Sequence, residues 1–164
     1  MDKRFVLDTN ILVYCHRIIY PFDMAPAFWR QLVEKGGQKI ILIDKVKEEI
    51  LRNEDQLSDW LKENENNFTI VEVGKLSVIE CYSKIITSVK ENQQYKETAK
   101  AQFAEVADSW LCAYGMSSGD IIVTEEKYEP DSKKSVKIPN VCREFSIDYI
   151  GLLEFMRKLD IRFD

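Results

Sequence analysis

Short, unbroken apolar runs separated by helix-length amphipathic stretches restrict the fold of this chain most. Arg4-Phe5-Val6-Leu7, Lys39 to Ile43 and Ile121 to Thr124 are each of strand length. A run that is apolar on consecutive residues needs cover on both faces, which is the signature of a buried parallel strand. Weaker strands are expected at Phe68–Val73 and Ile147–Ile150. Helical spacing is read over Asn10–Ile19, Ala27–Lys35 (stopped by Gly36-Gly37), Lys45–Arg52 with Asp44 as N-cap, Leu57–Glu65, Leu76–Glu91 and Glu97–Tyr114. A polar loop over Glu126–Val136 precedes a short helix from Pro139 to Phe145, and a last helix covers Leu152–Leu159. Strands alternating with helices predict an α/β three-layer sandwich around a mainly parallel central sheet. With no repeat or linker, residues 1–164 read as a single domain.

Composition excludes several kinds of chemistry. The single histidine, His16, removes zinc sites that need two imidazoles and ribonuclease mechanisms built on a histidine pair. Cys15, Cys81, Cys112 and Cys142 form no C-x-x-C pair and read as small buried thiols. A net charge of −5 argues against generic capture of nucleic acid, although an acidic pocket loaded with divalent cations changes its local sign. No apolar run approaches a membrane span, and Met1-Asp2-Lys3-Arg4 leads into a strand rather than a signal-peptide core, so a cytoplasmic location is expected.

Acids stand at corresponding places along the chain. Asp8 follows the first strand and so projects into the crevice at the carboxyl edge of a parallel sheet, where such folds bind ligands. Capping of the next helix by Asp8 or Thr9 is an equally good reading of that position. Asp108 lies within a stripe of small residues, Ala101, Ala104, Cys112 and Gly115, where an ionised carboxylate is costly without a cation or strong hydrogen bonds. The alternative is a satisfied core aspartate, or a solvent-facing one with Ala107, Trp110 and Leu111 as the core face. Thr124-Glu125-Glu126 repeats the position of Asp8 after another strand, and taken alone reads as two solvated glutamates opening a loop. On Lys45–Arg52, Glu49 lies nearer the apolar side than Glu48, with Glu48 kept open. Together such acids suit a hard divalent ion and metal-assisted phosphodiester hydrolysis.

In this arrangement the chain resembles the PIN-domain (PilT N-terminus-like) nuclease family along nearly its whole length. The matching elements are Asp8-Thr9-Asn10, Glu49-Ile50, Asp108-Ser109-Trp110-Leu111-Cys112-Ala113 and Thr124-Glu125-Glu126. Lys137-Ile138-Pro139-Asn140-Val141-Cys142 resembles a PIN-like subgroup known chiefly from prokaryotes. The resemblance implies metal ligands at Asp8, Glu49, Asp108 and Glu126, with Asn10 orienting Asp8 and Thr124 positioning water. It also implies Mg2+ or Mn2+ as cofactor and endoribonuclease activity on an RNA substrate. The family is often the toxin of a toxin–antitoxin pair and commonly a homodimer, which implies an antitoxin as partner. Glu stands where the family's fourth acid is Asp, and Lys127-Tyr128-Glu129-Pro130 replaces an aromatic.

For substrate contacts the sequence offers Arg17, about two helical turns beyond Asp8, and Lys127 and Lys134 in a loop that also holds Lys133 and Lys137. Glu129 and Asp131 interrupt that loop, and an ordinary solvated loop explains it as well. His16 reads as packing or capping, and Trp29, Trp60 and Trp110 as core or interface. The hairpin Leu76–Phe103, with Val78, Ile79, Ile85, Ile86 and Phe103, is the candidate interface, and core is the competing reading. Two other functions compete. A phosphatase would place a second aspartate where Asn10 stands, and a degenerate binding module would hold metal without cleaving RNA.

Overall fold

A computed structural model of the chain describes residues 3–164, so the lead-in expected from Met1 begins outside the described residues. Five strands form one sheet in the order β3-β2-β1-β4-β5, every pair parallel. They are β1 (Phe5–Leu7), β2 (Ile40–Ile43), β3 (Thr69–Val71), β4 (Ile121–Val123) and β5 (Tyr149–Ile150). The three central strands are buried at every residue, as their unbroken apolar runs require, while the two edge strands are half-buried.

The helices are α1 (Thr9–Tyr14), α2 (Pro26–Gln31), α3 (Asp44–Arg52), α4 (Gln56–Asn64), α5 (Leu76–Glu91), α6 (Glu97–Glu105), α7 (Ala107–Ser118), α8 (Ile138–Phe145) and α9 (Leu152–Lys158). They cover both faces of the sheet. On one, α7 lies so near β4 that a Cβ on Gly115 would come within 3.0 Å of Ile122 and Ile147. On the other, Phe155 of α9 packs edge-on against Phe5, with ring centroids 5.3 Å apart, and Leu159 approaches Gly36 and Ile40. No helix among the described residues is long and apolar enough to cross a membrane.

Three expectations need correction. The helices expected over Asn10–Ile19 and Ala27–Lys35 each finish in π turns, at Cys15–Ile19 and Leu32–Gly36. Asp44 is the first residue of α3 and Ile43 its cap. More consequentially, Glu97–Tyr114 is not one helix: Val106 is extended (φ −100°, ψ 171°) and separates α6 from α7. The small-residue stripe is therefore cut. Ala101 is exposed on α6, while Asp108, Cys112 and Gly115 stay together on α7. The candidate interface hairpin is mostly core, with Val78, Ile85 and Phe103 buried and only Leu76 and Ile79 exposed as large apolar side chains.

Candidate metal centre at the carboxyl edge of the sheet

In a parallel α/β sheet every strand ends, and every following helix begins, at the same edge. Backbone N–H groups and the positive ends of helix dipoles therefore collect there, and carboxylates are drawn to them. Asp8 leaves β1 at this edge and caps α1, its Oδ1 accepting from the Asn10 N–H at 3.3 Å. The capping and site readings of Asp8 thus describe one placement. Its Oδ2 accepts from the Thr124 hydroxyl at 3.0 Å, and the same hydroxyl oxygen accepts from the Glu126 N–H at 3.1 Å. Thr124, at the end of β4, thereby ties the two strand-end acids together.

Glu49 reaches across from α3 and accepts from the Ala107 N–H at 3.0 Å, so it caps α7 from 58 residues away. Glu48 is exposed. Glu126 accepts from the Ile138 N–H at 2.9 Å and holds the start of α8. Glu125 points elsewhere, accepting from the Leu152 N–H at 2.7 Å at the start of α9. Adjacent glutamates thus serve different helices, as strand-like alternation requires.

Asp108, at the second position of α7, has no such partner. Burial is the largest influence on its acidity, followed by the charges of Asp8, Glu126 and Glu49, with only Lys137 opposing, and its pKa is pushed up to about 8. Asp8 is 1% exposed and is pushed up to about 7, by burial first and then by Glu126, despite the bonds from Asn10 and Thr124. A buried and a half-buried aspartate therefore face an excess of negative charge.

The acids open onto two clefts that share Asn10 and Val106 as walls. A cavity of about 210 Å³ contains Asp108, Glu126 and Lys137. A larger one of about 540 Å³ contains Glu49, Arg17, Lys45, Arg52 and Trp110. Of the proposed substrate contacts, Arg17 reaches this region, held 3.7 Å from Asp55. Lys127 and Lys134 do not: both are exposed and line neither cleft, and Lys127 lies 3.9 Å from Glu125. His16 packs against Phe22, with ring centroids 5.0 Å apart, and Trp29 and Trp60 belong to an aromatic cluster. Lys45 and Arg52 went unrecognised in the sequence, although their spacing from Glu49 puts all three on one side of α3.

Donor chemistry at this edge fits a hard cation. The donors are all oxygens, and half-buried Asp108 has no compensating hydrogen bond. Among the described residues no three His, Cys, Asp or Glu side chains form a ready-made cage, since Glu49 and Glu126 are turned onto backbone amides.

The fold is PIN-like. The chain belongs to the family described as "Domain of unknown function (DUF4411)", whose model matches residues 5–163. No curated protein matches it in sequence. One solved structure it resembles is that of VapBC2 from Rickettsia felis bound to a DNA fragment from their promoter. The likeness has a TM-score of 0.57 at 12% identity and covers 90% of this chain and 97% of that one, so it speaks for the fold.

Proposed function

We propose that this chain is a metal-dependent endoribonuclease. One observation carries the reading: buried Asp8 and half-buried Asp108 both face the charges of Glu126 and Glu49, and Asp108 that of Asp8 as well, at the edge where this fold class binds ligands. Purely structural carboxylates find cations or donors, whereas this group is left with negative charge to spare. Magnesium or manganese bound here would supply Lewis-acid charge to phosphate oxygens and lower the pKa of water.

The chain's own groups set the stage. Thr124 and the Asn10 amide fix both oxygens of Asp8. Asp108 and Asp8 retain protons near neutral pH, so cation uptake displaces protons and strengthens as pH rises. Glu49 and Glu126 would hold an ion only by giving up their backbone partners at Ala107 and Ile138. Lys137, whose charge opposes the others at Asp108, lines the same cavity and would be available to a phosphate oxygen.

The test is cleavage of a mixed RNA substrate by the purified chain with magnesium or manganese, with chelator, and with Asp8→Asn or Asp108→Asn. Metal-dependent cleavage lost in both variants supports the proposal. Metal binding with no cleavage of any RNA overturns it in favour of a binding module. Likeness of fold to VapBC2 supports a further part of the proposal, that the chain is a toxin held by a protein antitoxin. Co-expression with the product of a neighbouring open reading frame tests it through complex formation and loss of cleavage.

A further inference from the structure

The larger cleft contains Glu49 and extends well beyond what a metal ion needs. Its volume of about 540 Å³ falls in the range of ligand-sized pockets. Arg17 enters from the π turn that extends α1, and Lys45 and Arg52 come from the first and last turns of α3, on one side of it. Neither Lys45 nor Arg52 has an acidic partner within 4.0 Å among the described residues, although the chain as a whole is acidic. Glu48, Glu49 and Glu105 also line the cleft, and Arg17 lies 3.7 Å from Asp55, so the cleft offers spaced cations among acids rather than a uniform positive field. Thr9, only 8% exposed, contributes to the wall with a hydroxyl that has no hydrogen-bond partner. Trp110, stacked on Tyr82 at 3.9 Å, gives the cleft an aromatic wall. Asn10 and Val106 continue from this cleft into the cavity of Asp108 and Glu126.

We infer that this cleft binds the sugar–phosphate backbone of single-stranded RNA beside the bond that is cut, with Arg17, Lys45 and Arg52 as phosphate contacts. The identity of the polymer rests on the nuclease reading; the cleft and its cations do not. Spaced cations, an unpaired hydroxyl and an aromatic surface are what a flexible phosphodiester strand requires. A single strand is the form that fits, because Asp8 is almost fully buried and the backbone must descend to reach it, which a stacked duplex resists.

The experiment measures fluorescence anisotropy of a labelled oligouridine of about ten nucleotides, in chelator so that nothing is cut, over a series of salt concentrations. Lys45→Ala combined with Arg52→Ala should weaken binding by roughly tenfold or more and lower the log–log salt slope by about 1.4, the value for two lost single-strand contacts. Lys127→Ala combined with Lys134→Ala, outside the cleft, should leave both unchanged. Thermal melts confirm that the variants fold. Equal losses in the two double variants, no loss in the first, or no binding by the unsubstituted chain at low salt would overturn the inference. Binding of duplex RNA as tight as that of the single strand would do the same. Failure of the nuclease reading looks different: this binding pattern would persist, but magnesium or manganese would bring no cleavage.

Discussion

The segment from Ala107 to Asp120 runs from one edge of the sheet to the other and carries an aspartate to each. At the amino edge, Asp120 meets Arg4 at 3.1 Å and the Tyr114 hydroxyl at 2.8 Å, and Arg4 also donates to Tyr114 at 3.2 Å. At the carboxyl edge, Asp108 meets the charges of three other acids and only one opposing lysine. The two aspartates share a residue type and flank one helix, Asp108 in its first turn and Asp120 just past its end, and differ in what the neighbouring strands bring. Arg4 precedes β1 and Asp8 follows it, so the same strand delivers a cation to one edge and an anion to the other. A fold satisfies its charges where nothing else is asked of them. The unsatisfied edge is the place to look for a ligand.

Substitution of the carboxyl-edge acids should break this contrast most sharply. Asp8→Asn and Asp108→Asn are expected to reduce RNA cleavage by on the order of 10²–10³-fold, as loss of a group stabilising the transition state does. Asp108→Asn should also raise the melting temperature of the metal-free chain at pH 8 by about 3–6 °C, since relieved repulsion of 1–2 kcal/mol acts on a domain of this size. An unfolded Asp108→Asn would instead make Asp108 a structural residue.

Metal and pH should sharpen the same contrast. Both aspartates have raised pKa values, so between about pH 4 and about 8 the folded chain binds more protons than the unfolded one. Their contribution to stability is therefore present at low pH and lost as pH rises through about 7 and about 8. A saturating cation removes that loss. Magnesium at about 100 times its Kd should add about 2.7 kcal/mol, or roughly 5–10 °C in Tm. The gain should be larger at pH 8 than at pH 6, with proton release visible by calorimetry in two buffers. A gain independent of pH would separate metal binding from these aspartates.

Glu125 and Glu126 provide a finer comparison. Glu126→Gln is expected to weaken metal binding and cleavage roughly tenfold, the scale of a lost supporting ligand. Glu125→Gln should leave cleavage unchanged and lower stability by about 0.3–1 kcal/mol, because its carboxylate serves only the start of α9. The reverse pattern would mean that Glu125 is the acid at work. A similarly small effect is expected at the satisfied edge. Asp120→Asn should destabilise by about 0.5–1 kcal/mol, in the opposite direction to Asp108→Asn, because its ion pair is partly exposed. A stabilising Asp120→Asn would erase the distinction between the edges.

Much of the fold follows from local pattern alone. Consecutive apolar residues at Phe5–Leu7, Ile40–Ile43 and Ile121–Val123 demand burial on both faces, and the helical spacing between them leaves a parallel sheet as the arrangement that provides it. Asp8 and Glu126 were legible as site candidates because an acid just beyond a strand has its position set by that strand. Alternation along the chain likewise separates Glu126 from Glu125. Lys127 and Lys134 lie outside both clefts, and a loop without periodicity gives the sequence no direction for its side chains.

The sequence by itself determined the strands, their mainly parallel arrangement and the edge at which the acids gather, because each follows from patterns local in the chain. The order β3-β2-β1-β4-β5 came from the tertiary structure. The break between α6 and α7 was decided by tertiary structure. No glycine, proline or local capping side chain marks Val106, and the cap that lets α7 begin at Ala107 is the carboxylate of Glu49, carried in by α3 from 58 residues away. The same contact sets Asp108 at the start of a helix facing three other acids rather than midway along a longer one. The raised pKa values of Asp8 and Asp108 were likewise beyond the sequence, since burial and the summed charge of neighbours exist only once the four elements have met.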